Sequence, residues 1–428
     1  MAEGSPSPFA FRDYRLYWFA RLASTVAQMA MVIVIGWQVY DIARQTMDIE
    51  AAAFQLGLIG LVQFAPLFLL TLVSGWTADR IDRRHIARAV LALEMLCAAI
   101  LFWATWTGAI SLPILFAVAA LLGVARAFAG PALGALAPNL VPREILPKAI
   151  AMSSMAWQSG SIAGPAIGGI LYDIIPHLPY AVSTGLFGIS LLLVFMIRPI
   201  ERVSIKGSAS PWRQMVEGLG YVRRNRLVLG AITLDLFAVL LGGVTAMLPI
   251  YARDILMVGP EGLGPLRAAP AIGATLTAFY FSFRPIKTNV GVKMLAAVVV
   301  FGAATAVFGI STWMPLSLAM LALLGAADMF SVYIRQSLIQ LHTPDEMRGR
   351  VGAASTLAIS ASNELGEARA GFSASIIGPA TAVVAGGIGA VVVTLLWARI
   401  FPELRRARTF DVPIPPPPEK APITAGSA

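Results

Sequence analysis

Among the ionisable side chains that lie within long apolar stretches of this sequence, six are candidates for a functional role, because a charge there is costly and is commonly kept for function. Two are arginines from the first half of the chain and four are carboxylates from the second half: Arg21, Arg126, Asp235, Asp328, Glu364 and Glu367. A carboxylate shielded from water binds a proton more readily, whereas a nearby arginine favours its ionised form. Such groups can therefore link proton uptake to a change in shape.

The elements that must position these charges are predicted to be membrane helices. Of the 428 residues, 57% are hydrophobic and 13% are charged, against about 25% charged in an average soluble domain. Spanning the hydrocarbon core takes about 20 apolar residues. Runs of that length predict twelve transmembrane helices, at 16–40, 53–77, 86–107, 112–135, 149–174, 180–198, 227–251, 264–283, 293–312, 315–337, 351–377 and 379–400.

The two halves of the chain repeat each other with an offset of 202 residues. The segment 120–128 recurs as 322–330. The same offset pairs residues that rarely match by chance, namely Pro113 with Pro315, Pro142 with Pro344, Glu144 with Glu346, Gly164 with Gly366 and Gly169 with Gly371. Arg126 and Asp328 are equivalent in this register. A repeat of six spans predicts parallel halves related by an axis along the membrane normal.

The fold class that follows is an all-α integral membrane protein of two pseudo-symmetric six-helix bundles. We expect the N-terminal half at 1–198 and the C-terminal half at 227–401. A cytoplasmic linker with an amphipathic helix is expected at 199–226, and a disordered cytoplasmic tail at 402–428.

The distribution of basic residues predicts that both termini are cytoplasmic. With that orientation the outer loops hold only Arg44, Arg253 and Arg267, and most other Lys and Arg lie on the inner side. The formal charge of +9 is then a topology signal, and no nucleic-acid partner is expected. We recognise no cleavable signal peptide in residues 1–9. Cys97 is the single cysteine, so an intramolecular disulfide is impossible, and the histidine spacing predicts no metal or other cofactor.

Two motifs at defined places give a family resemblance. The loop after the second span contains Gly75, Asp79, Arg80, Arg83 and Arg84, in the spacing G-x-x-x-D-R-x-x-R-R. The fifth span contains a G-x-x-x-G-P-x-x-G-G run formed by Gly160, Gly164, Pro165, Gly168 and Gly169. Both resemble motifs of the major facilitator superfamily, and the resemblance covers nearly the whole chain. The segments 11–15, 36–40, 140–144 and 343–351 look like the enterobactin-exporter-like branch, which includes siderophore and macrolide exporters.

The resemblance assigns roles to these residues. The loop motif would form a cytoplasmic gate that stabilises the inward-closed state, although ordinary positive-inside charge explains it too. The glycine motif is associated with antiporters, and its small residues allow close helix packing in any case. The loop after the eighth span, at 283–293, lacks the aspartate of the first-half motif, so a second-half gate would have to differ.

The resemblance also places spans one, four, seven and ten around the cavity. We hypothesise that charges of the two halves meet when the cytoplasmic side is closed, with Arg126 opposite Asp328. The alternative is that each charge finds a partner within its own half, or water. Glu364 and Glu367 are either proton sites or structural carboxylates, for example paired with Arg369. Cavity contacts are expected from five amide and aromatic side chains: Gln28, Trp37, Gln38, Trp157 and Gln158.

The sequence therefore predicts a secondary transporter. Motifs for ATP hydrolysis or nucleophilic catalysis were not recognised, so an enzyme is not expected. We predict a multi-pass protein of the bacterial inner membrane, monomeric in the lipid bilayer, that exports a small amphipathic molecule in exchange for protons. An uptake permease of the same fold, or a non-transporting sensor or lipid-handling protein, stays open as an alternative.

Overall fold

The computed structural model describes residues 7–134, 136, 139–199, 211–284, 286 and 288–410. This part of the chain is helical and contains no strands. After a short turn at Pro8–Ala10, the first bundle consists of α1 (Arg12–Ala43), α2 (Ile49–Arg80), α3 (Arg83–Trp106), α4 (Leu112–Gly134), α5 (Leu146–Ile174) and α6 (Leu178–Phe195). The helix α7 (Pro211–Arg224) follows it.

The second bundle begins with α8 (Arg226–Gly242), which continues through irregular turns, including the short α9 (Leu248–Ile250) and a π-turn at Tyr251–Ile255. Its remaining helices are α10 (Gly259–Phe283), α11 (Val290–Ile310), α12 (Met314–Leu341), α13 (Asp345–Ile377) and α14 (Pro379–Ile400). A final helix, α15 (Pro402–Arg406), folds against α8, α11 and α14.

Within the described residues, nine helical segments are long and apolar enough to cross a bilayer. The other three predicted spans are also helices, α5, α10 and α13, of 29, 25 and 33 residues. These three lie where the bundles meet. Helix α5 packs against α10, and α13 packs against α2.

Local capping explains several helix starts. The side chain of Asp48 accepts a hydrogen bond from the Ala51 amide at 2.8 Å and begins α2. Asn225 does the same for Val228 at 3.2 Å and begins α8. Such caps satisfy amide groups that have no partner within the helix. Between α13 and α14 the chain turns at Gly378, whose φ of 79° favours glycine.

Glycines related by the 202-residue offset make equivalent contacts. Gly123 of α4 packs on the backbone of Gln63 in α2, and Gly325 of α12 packs on the backbone of Pro270 in α10. Likewise Gly164 of α5 lies against α1, and its repeat mate Gly366 of α13 lies against α8. Each half of the chain therefore builds its helix crossings at the same repeat positions.

Residues 402–410 depart from the predicted disorder. Residues 402–406 form α15, and Leu404 is fully buried. Backbone amides of Val290 and Gly291, at the start of α11, donate to the carbonyls of Arg408 and Ala407. The prediction was wrong for 402–410 because the polar composition of this segment hid the apolar anchor Leu404. The predicted tail from 411 onward and the linker residues 200–210 lie outside the described residues.

Two ends of the molecule are distinguished below. The termini side carries the α2–α3 connection at 81–82, α7 and α15. The far side carries the α1–α2 connection at 44–48 and the π-turn Tyr251–Ile255.

Candidate functional site

A cavity lies between the two bundles, and we call it the central cavity. The first bundle contributes side chains of α1 and α2, and the second contributes the broken end of α8, α10 and α13. Its wall is mostly apolar, with a few polar groups. The lining residues are Val32, Ile33, Ile35, Gly36, Leu56, Ile59, Gly60, Gln63, Thr245, Ala246, Leu248, Pro249, Leu263, Arg267 and Glu367.

Two charged side chains face each other in this cavity. The Arg267 Nη1 atom of α10 lies 3.9 Å from the Glu367 Oε1 atom of α13, and both side chains are partly exposed. The spacing leaves the pair in electrostatic contact without a tight hydrogen bond. An apolar wall with an adjacent cation and anion can hold a molecule that carries both apolar and polar groups.

A second ion pair joins the bundles directly. The Arg126 Nη2 atom of α4 donates to the Glu364 Oε1 atom of α13 at 2.7 Å, and Glu364 is nearly buried. The Arg126 Nη1 atom also donates to the side-chain oxygen of Gln63 at 3.5 Å. Gln63 lines the central cavity, so this pair lies next to the cavity and ties its two walls together.

The pairing expected between Arg126 and Asp328 is not formed. Asp328 lies in a small cavity inside the second bundle, beside Asp235 and Ser331, and makes no hydrogen bond or ion pair with the described residues. Helix rotation explains the difference, because α12 turns Asp328 toward α8 and α11 while α13 turns Glu364 toward α4.

Asp235 and Arg21 also find partners in their own halves. Asp235 of α8 forms a buried ion pair with Arg335 of α12, which the sequence alone presents as an isolated cation near a helix end. Arg21 donates to the hydroxyl of Tyr17 on the same helix at 3.1 Å, and that hydroxyl lies 3.0 Å from Ser153 of α5. Of the six predicted charges, only Arg126 and Glu364 therefore meet across the bundles in the described structure.

The break in α8 has its own polar partner. Helix α8 ends at Gly242, inside the span that runs to Ile255, and so leaves carbonyl groups without a helical amide. The Arg369 Nη2 atom of α13 donates to one of them, that of Leu241, at 2.5 Å. Irregular backbone at membrane depth needs such partners. Arg369 thus supports the broken segment that lines the central cavity, instead of pairing with Glu364 or Glu367.

The bundles are joined on the far side by polar contacts. The Tyr40 hydroxyl of α1 donates to the Asp254 carboxylate at 2.5 Å, and the Arg44 guanidinium lies 3.6 Å from the same carboxylate. Asp41 forms an ion pair with Arg253. We call these five side chains the far-side latch.

Backbone contacts at glycines close the same side. A Cβ atom added at Gly169 of α5 would fall 2.8 Å from the carbonyl oxygen of Pro260 in α10. A Cβ atom at its repeat mate, Gly371 of α13, would fall 2.8 Å from that of Ala53 in α2. These are two equivalent helix crossings between the bundles.

The five predicted cavity contacts do not line the central cavity. Gln38 is buried within the first bundle, where it hydrogen-bonds Thr105 and Tyr180, and Trp37 is core. Gln28 is half-buried and Trp157 is exposed. Gln158 instead links the bundles, because its side-chain amide donates to Thr275 of α10 at 2.9 Å.

Comparison with known proteins decides the family. The sequence model described as Major Facilitator Superfamily matches residues 17–367. The chain is a member of the major facilitator superfamily. It is therefore a multi-pass membrane transporter with the all-α fold predicted from the sequence.

Curated relatives extend over nearly the whole transporter. The chain is 25% identical over 417 residues to the enterobactin exporter EntS of Citrobacter koseri, covering 96% of each protein. It is also 25% identical over 402 residues to the enterobactin exporter EntS of Shigella boydii, covering 92% of this chain and 93% of that one. The resemblance to the enterobactin-exporter-like branch is thereby confirmed.

Solved structures show the same fold at lower identity. A bacterial homolog of the human lysosomal transporter Spinster, in an inward-facing and unoccupied conformation, matches with a TM-score of 0.70 and 15% identity. That match covers 94% of this chain and 99% of the other. A D-xylose–proton symporter matches with a TM-score of 0.69 and 13% identity, covering 91% and 98%.

The predicted gate motif of this transporter lies at the termini side. Gly75 and Asp79 belong to the last turns of α2, and the contacts of these two residues lie outside what the structure describes. Arg80 is exposed and Arg83 is half-buried. Arg84 is buried and donates to the Ile197 carbonyl, just past the end of α6, at 3.2 Å.

Sequence reasoning missed Asp82, the partner of Arg84 in this loop. Its carboxylate caps α3 by accepting from the Arg84 amide at 2.9 Å and also binds the Arg84 guanidinium at 2.7 Å. The side-chain hydrogen bond from Arg84 holds the pKa of Asp82 below its ordinary value. The Asp82 carboxylate therefore stays ionised near neutral pH, and Arg84 joins the start of α3 to the end of α6.

The glycine motif of α5 packs in two directions. Gly160, Gly164 and Gly168 lie against Thr25, Val26 and Ala30 of α1, inside the first bundle. Gly169 and the carbonyl of Pro165 instead meet α10 of the second bundle. The motif therefore sets both a fixed crossing within one half and a contact between the halves.

Proposed function

We propose that this transporter exports a small amphipathic molecule, such as a siderophore or drug-like compound, by alternating access and in exchange for protons. The central cavity carries the proposal, because an apolar wall and the Arg267–Glu367 pair lie together at the boundary between the bundles. Substrate sites of this class of transporter lie near the midplane at such a repeat interface. The direction is supported by relatives named as exporters.

The proton exchange centres on the Arg126–Glu364 pair. In the closed contact the Arg126 guanidinium donates a hydrogen bond of 2.7 Å to the Glu364 carboxylate. When the bundles separate at this level, the arginine withdraws and Glu364 takes up a proton. The pair would thus break and re-form once in each transport cycle.

The proposal includes an orientation. With the termini cytoplasmic in the bacterial inner membrane, the far-side latch and the two glycine crossings seal the periplasmic side. The structure would then represent an inward-facing state, which can accept substrate from the cytoplasm. Protonation from the periplasmic side in the outward-facing state would reset the cycle.

The decisive experiment uses inverted membrane vesicles that contain the full-length transporter. A panel of siderophores and antibiotics is first screened for increased sensitivity of a deletion strain. Uptake of the best compound is then measured with the vesicle interior acidified. Accumulation of the compound in acidified vesicles that vanishes with an uncoupler supports proton-driven export. The control for Glu364→Gln is Glu50→Gln, because Glu50 is an exposed carboxylate outside the cavity.

Two outcomes would overturn the proposal. Accumulation only in right-side-out vesicles would indicate an uptake permease instead. Absence of flux for every compound, with unchanged phenotype in Glu364→Gln and Asp328→Asn variants, would favour a sensor or lipid-handling protein that retains the fold.

A further inference from the structure

A concave site with four arginines lies at the termini side, away from the central cavity. It forms where α7 meets α8 and where residues 402–410 fold back on the second bundle. Arg224 and Arg226 come from the α7–α8 joint, and Arg406 and Arg408 come from the C-terminal segment. We call these four residues and the space between them the basic pocket.

The arginines of the C-terminal segment are held in place. The amides of Val290 and Gly291 donate to the carbonyls of Arg408 and Ala407, at 3.4 and 3.0 Å. Leu404 is fully buried one turn earlier, and the Phe410 ring packs edge-on against Tyr333. Arg406 and Arg408 therefore project from a docked segment, which lowers the entropy lost when they bind a ligand.

Among the described residues, most of the positive charge in the pocket has no acidic partner. Glu403 is the acidic residue in its lining, and Arg226 already neutralises it, with 2.9 Å between Nε and Oε1. The guanidinium groups of Arg224, Arg406 and Arg408 form no hydrogen bond or ion pair with any described residue. Three cations without such a partner in the described structure, placed around one concavity, favour binding of an anion with several acceptor oxygens.

The position of the pocket indicates where such an anion comes from. Arg226 begins α8 and donates to the carbonyl of Ile400, the last residue of α14, at 2.9 Å. The segments Arg226–Ile255 and Pro379–Ile400 are both long and apolar enough to span the membrane, so the pocket lies at the level where apolar spans end. Basic pockets at this level recognise phospholipid headgroups, and guanidinium groups bind phosphate in a bidentate manner.

We propose that the basic pocket binds a phosphate group, supplied by the headgroup of an anionic phospholipid in the leaflet on the termini side. A free phosphate ion has the same chemistry and is the other source to distinguish. The bound headgroup would connect the α7–α8 joint with the docked C-terminal segment. Nothing in this proposal depends on the substrate or the direction of transport.

The test uses the full-length protein in a neutral detergent, with three probes added separately: phosphatidylglycerol, phosphatidylcholine and inorganic phosphate. Bound lipid is counted by native mass spectrometry, and the melting temperature is followed by tryptophan fluorescence. The pocket variant combines Arg224→Gln, Arg406→Gln and Arg408→Gln. The matched control combines Arg223→Gln, Arg399→Gln and Arg405→Gln, which remove the same charge from exposed positions outside the pocket lining.

We expect the wild type and the control to retain phosphatidylglycerol over phosphatidylcholine, and the pocket variant to lose at least about tenfold in affinity, equal to about 1.4 kcal/mol. Stabilisation by inorganic phosphate with the same arginine dependence, without a phosphatidylglycerol preference, would support the pocket but overturn the lipid as its source. Equal loss in the control and pocket variants would overturn the proposal, because bulk charge alone would then explain the binding. A size-exclusion profile like that of the wild type shows that the pocket variant is folded.

Discussion

The guanidinium group of Arg126 on α4 donates to the carboxylate of Glu364 on α13, and the 2.7 Å contact connects one bundle to the other. The two residues are 238 positions apart in the chain. Within the described residues, the other predicted intramembrane charges have partners in their own half or no partner. This contact therefore ties the two bundles together within the membrane, in addition to the far-side latch.

Neutralising Glu364 should uncouple transport from protons. In Glu364→Gln, we expect proton-driven flux to fall by at least about tenfold, while substrate exchange without a gradient persists. The physical reason is that an amide cannot alternate between a charged pair with Arg126 and a protonated state. The measurement compares driven uptake and counterflow in proteoliposomes.

A charge swap tests the pair itself. Arg126→Glu and Glu364→Arg should each abolish driven transport, and the double variant should recover part of it. The control reverses Arg226 and Glu403, a more exposed pair that lies outside the central cavity, and should leave flux unchanged. No recovery in the double variant, despite normal insertion, would contradict a direct interaction between Arg126 and Glu364.

Methyl groups added at the glycine crossings should destabilise the far-side contact. Gly371→Ala places a Cβ atom 2.8 Å from the Ala53 carbonyl oxygen and against the backbone of Gly57, so we expect a loss of about 1–3 kcal/mol. Gly169→Ala meets the Pro260 carbonyl at the same distance and should cost less, because its next contact, with the Gly264 amide nitrogen, is 3.1 Å, whereas the Gly57 backbone lies much closer than that to the Cβ atom at Gly371. Thermal unfolding of the purified protein measures both.

The control for the crossings is Gly185→Ala in α6, where an added Cβ atom meets nothing within 4 Å. This change should be neutral or stabilise by about 0.5–1 kcal/mol, since alanine favours the helix. Equal melting temperatures for all three variants would show that the bundles do not touch as closely at Gly371 and Gly169 as the structure indicates.

The sequence was enough to locate the functional charges but not to pair them. Composition and periodicity define a helix and its depth, so Arg126 and Glu364 were both recognised as intramembrane charges. Which side chains face each other depends on how each helix is rotated about its own axis. A rotation by one residue position is enough to turn Asp328 from the boundary between the bundles to the interior of the second bundle. The repeat register favoured Arg126 with Asp328 because equivalent positions lie at equal depth, although depth alone does not fix a contact.

The cavity was the least predictable part for a related reason. Amide and aromatic side chains such as Gln38 and Trp37 are suited to binding a substrate. Gln38 nevertheless forms its hydrogen bonds with Thr105 and Tyr180 within its own bundle. Arg267 was assigned to an outer loop, and the structure places it in α10, facing Glu367. The available signal was the predicted span 264–283, which already contained Arg267 and so placed it among the intramembrane charges.

Asp235 should prove structural and not part of proton coupling. Removing its charge with Asp235→Asn leaves Arg335 buried without an ionic partner, and breaking such a pair costs about 3–5 kcal/mol. Replacing both residues with apolar ones, Asp235→Leu and Arg335→Met, should cost less. Melting temperatures measured by tryptophan fluorescence check the order.

The matched control for that pair is Glu403→Gln, whose partner Arg226 is largely exposed, so the change should cost less than about 1 kcal/mol. If the Asp235→Asn variant melts like the wild type but loses proton-driven flux, Asp235 takes part in coupling and the structural assignment is wrong.

Loss of Asp254 should open the far side. This carboxylate accepts the Tyr40 hydroxyl and pairs with Arg44, and hydrogen bonds to a charged group are worth about 1.5–3 kcal/mol each. Losing one such bond would favour the far-side-open population by roughly tenfold or more. Accessibility is measured at the cavity position Val32→Cys in a Cys97→Ser background, by alkylation with a membrane-impermeant maleimide added on the far side. We expect alkylation of Asp254→Asn to exceed that of the exposed control Glu261→Gln several-fold, and equal rates would mean that the far-side latch does not hold the bundles together.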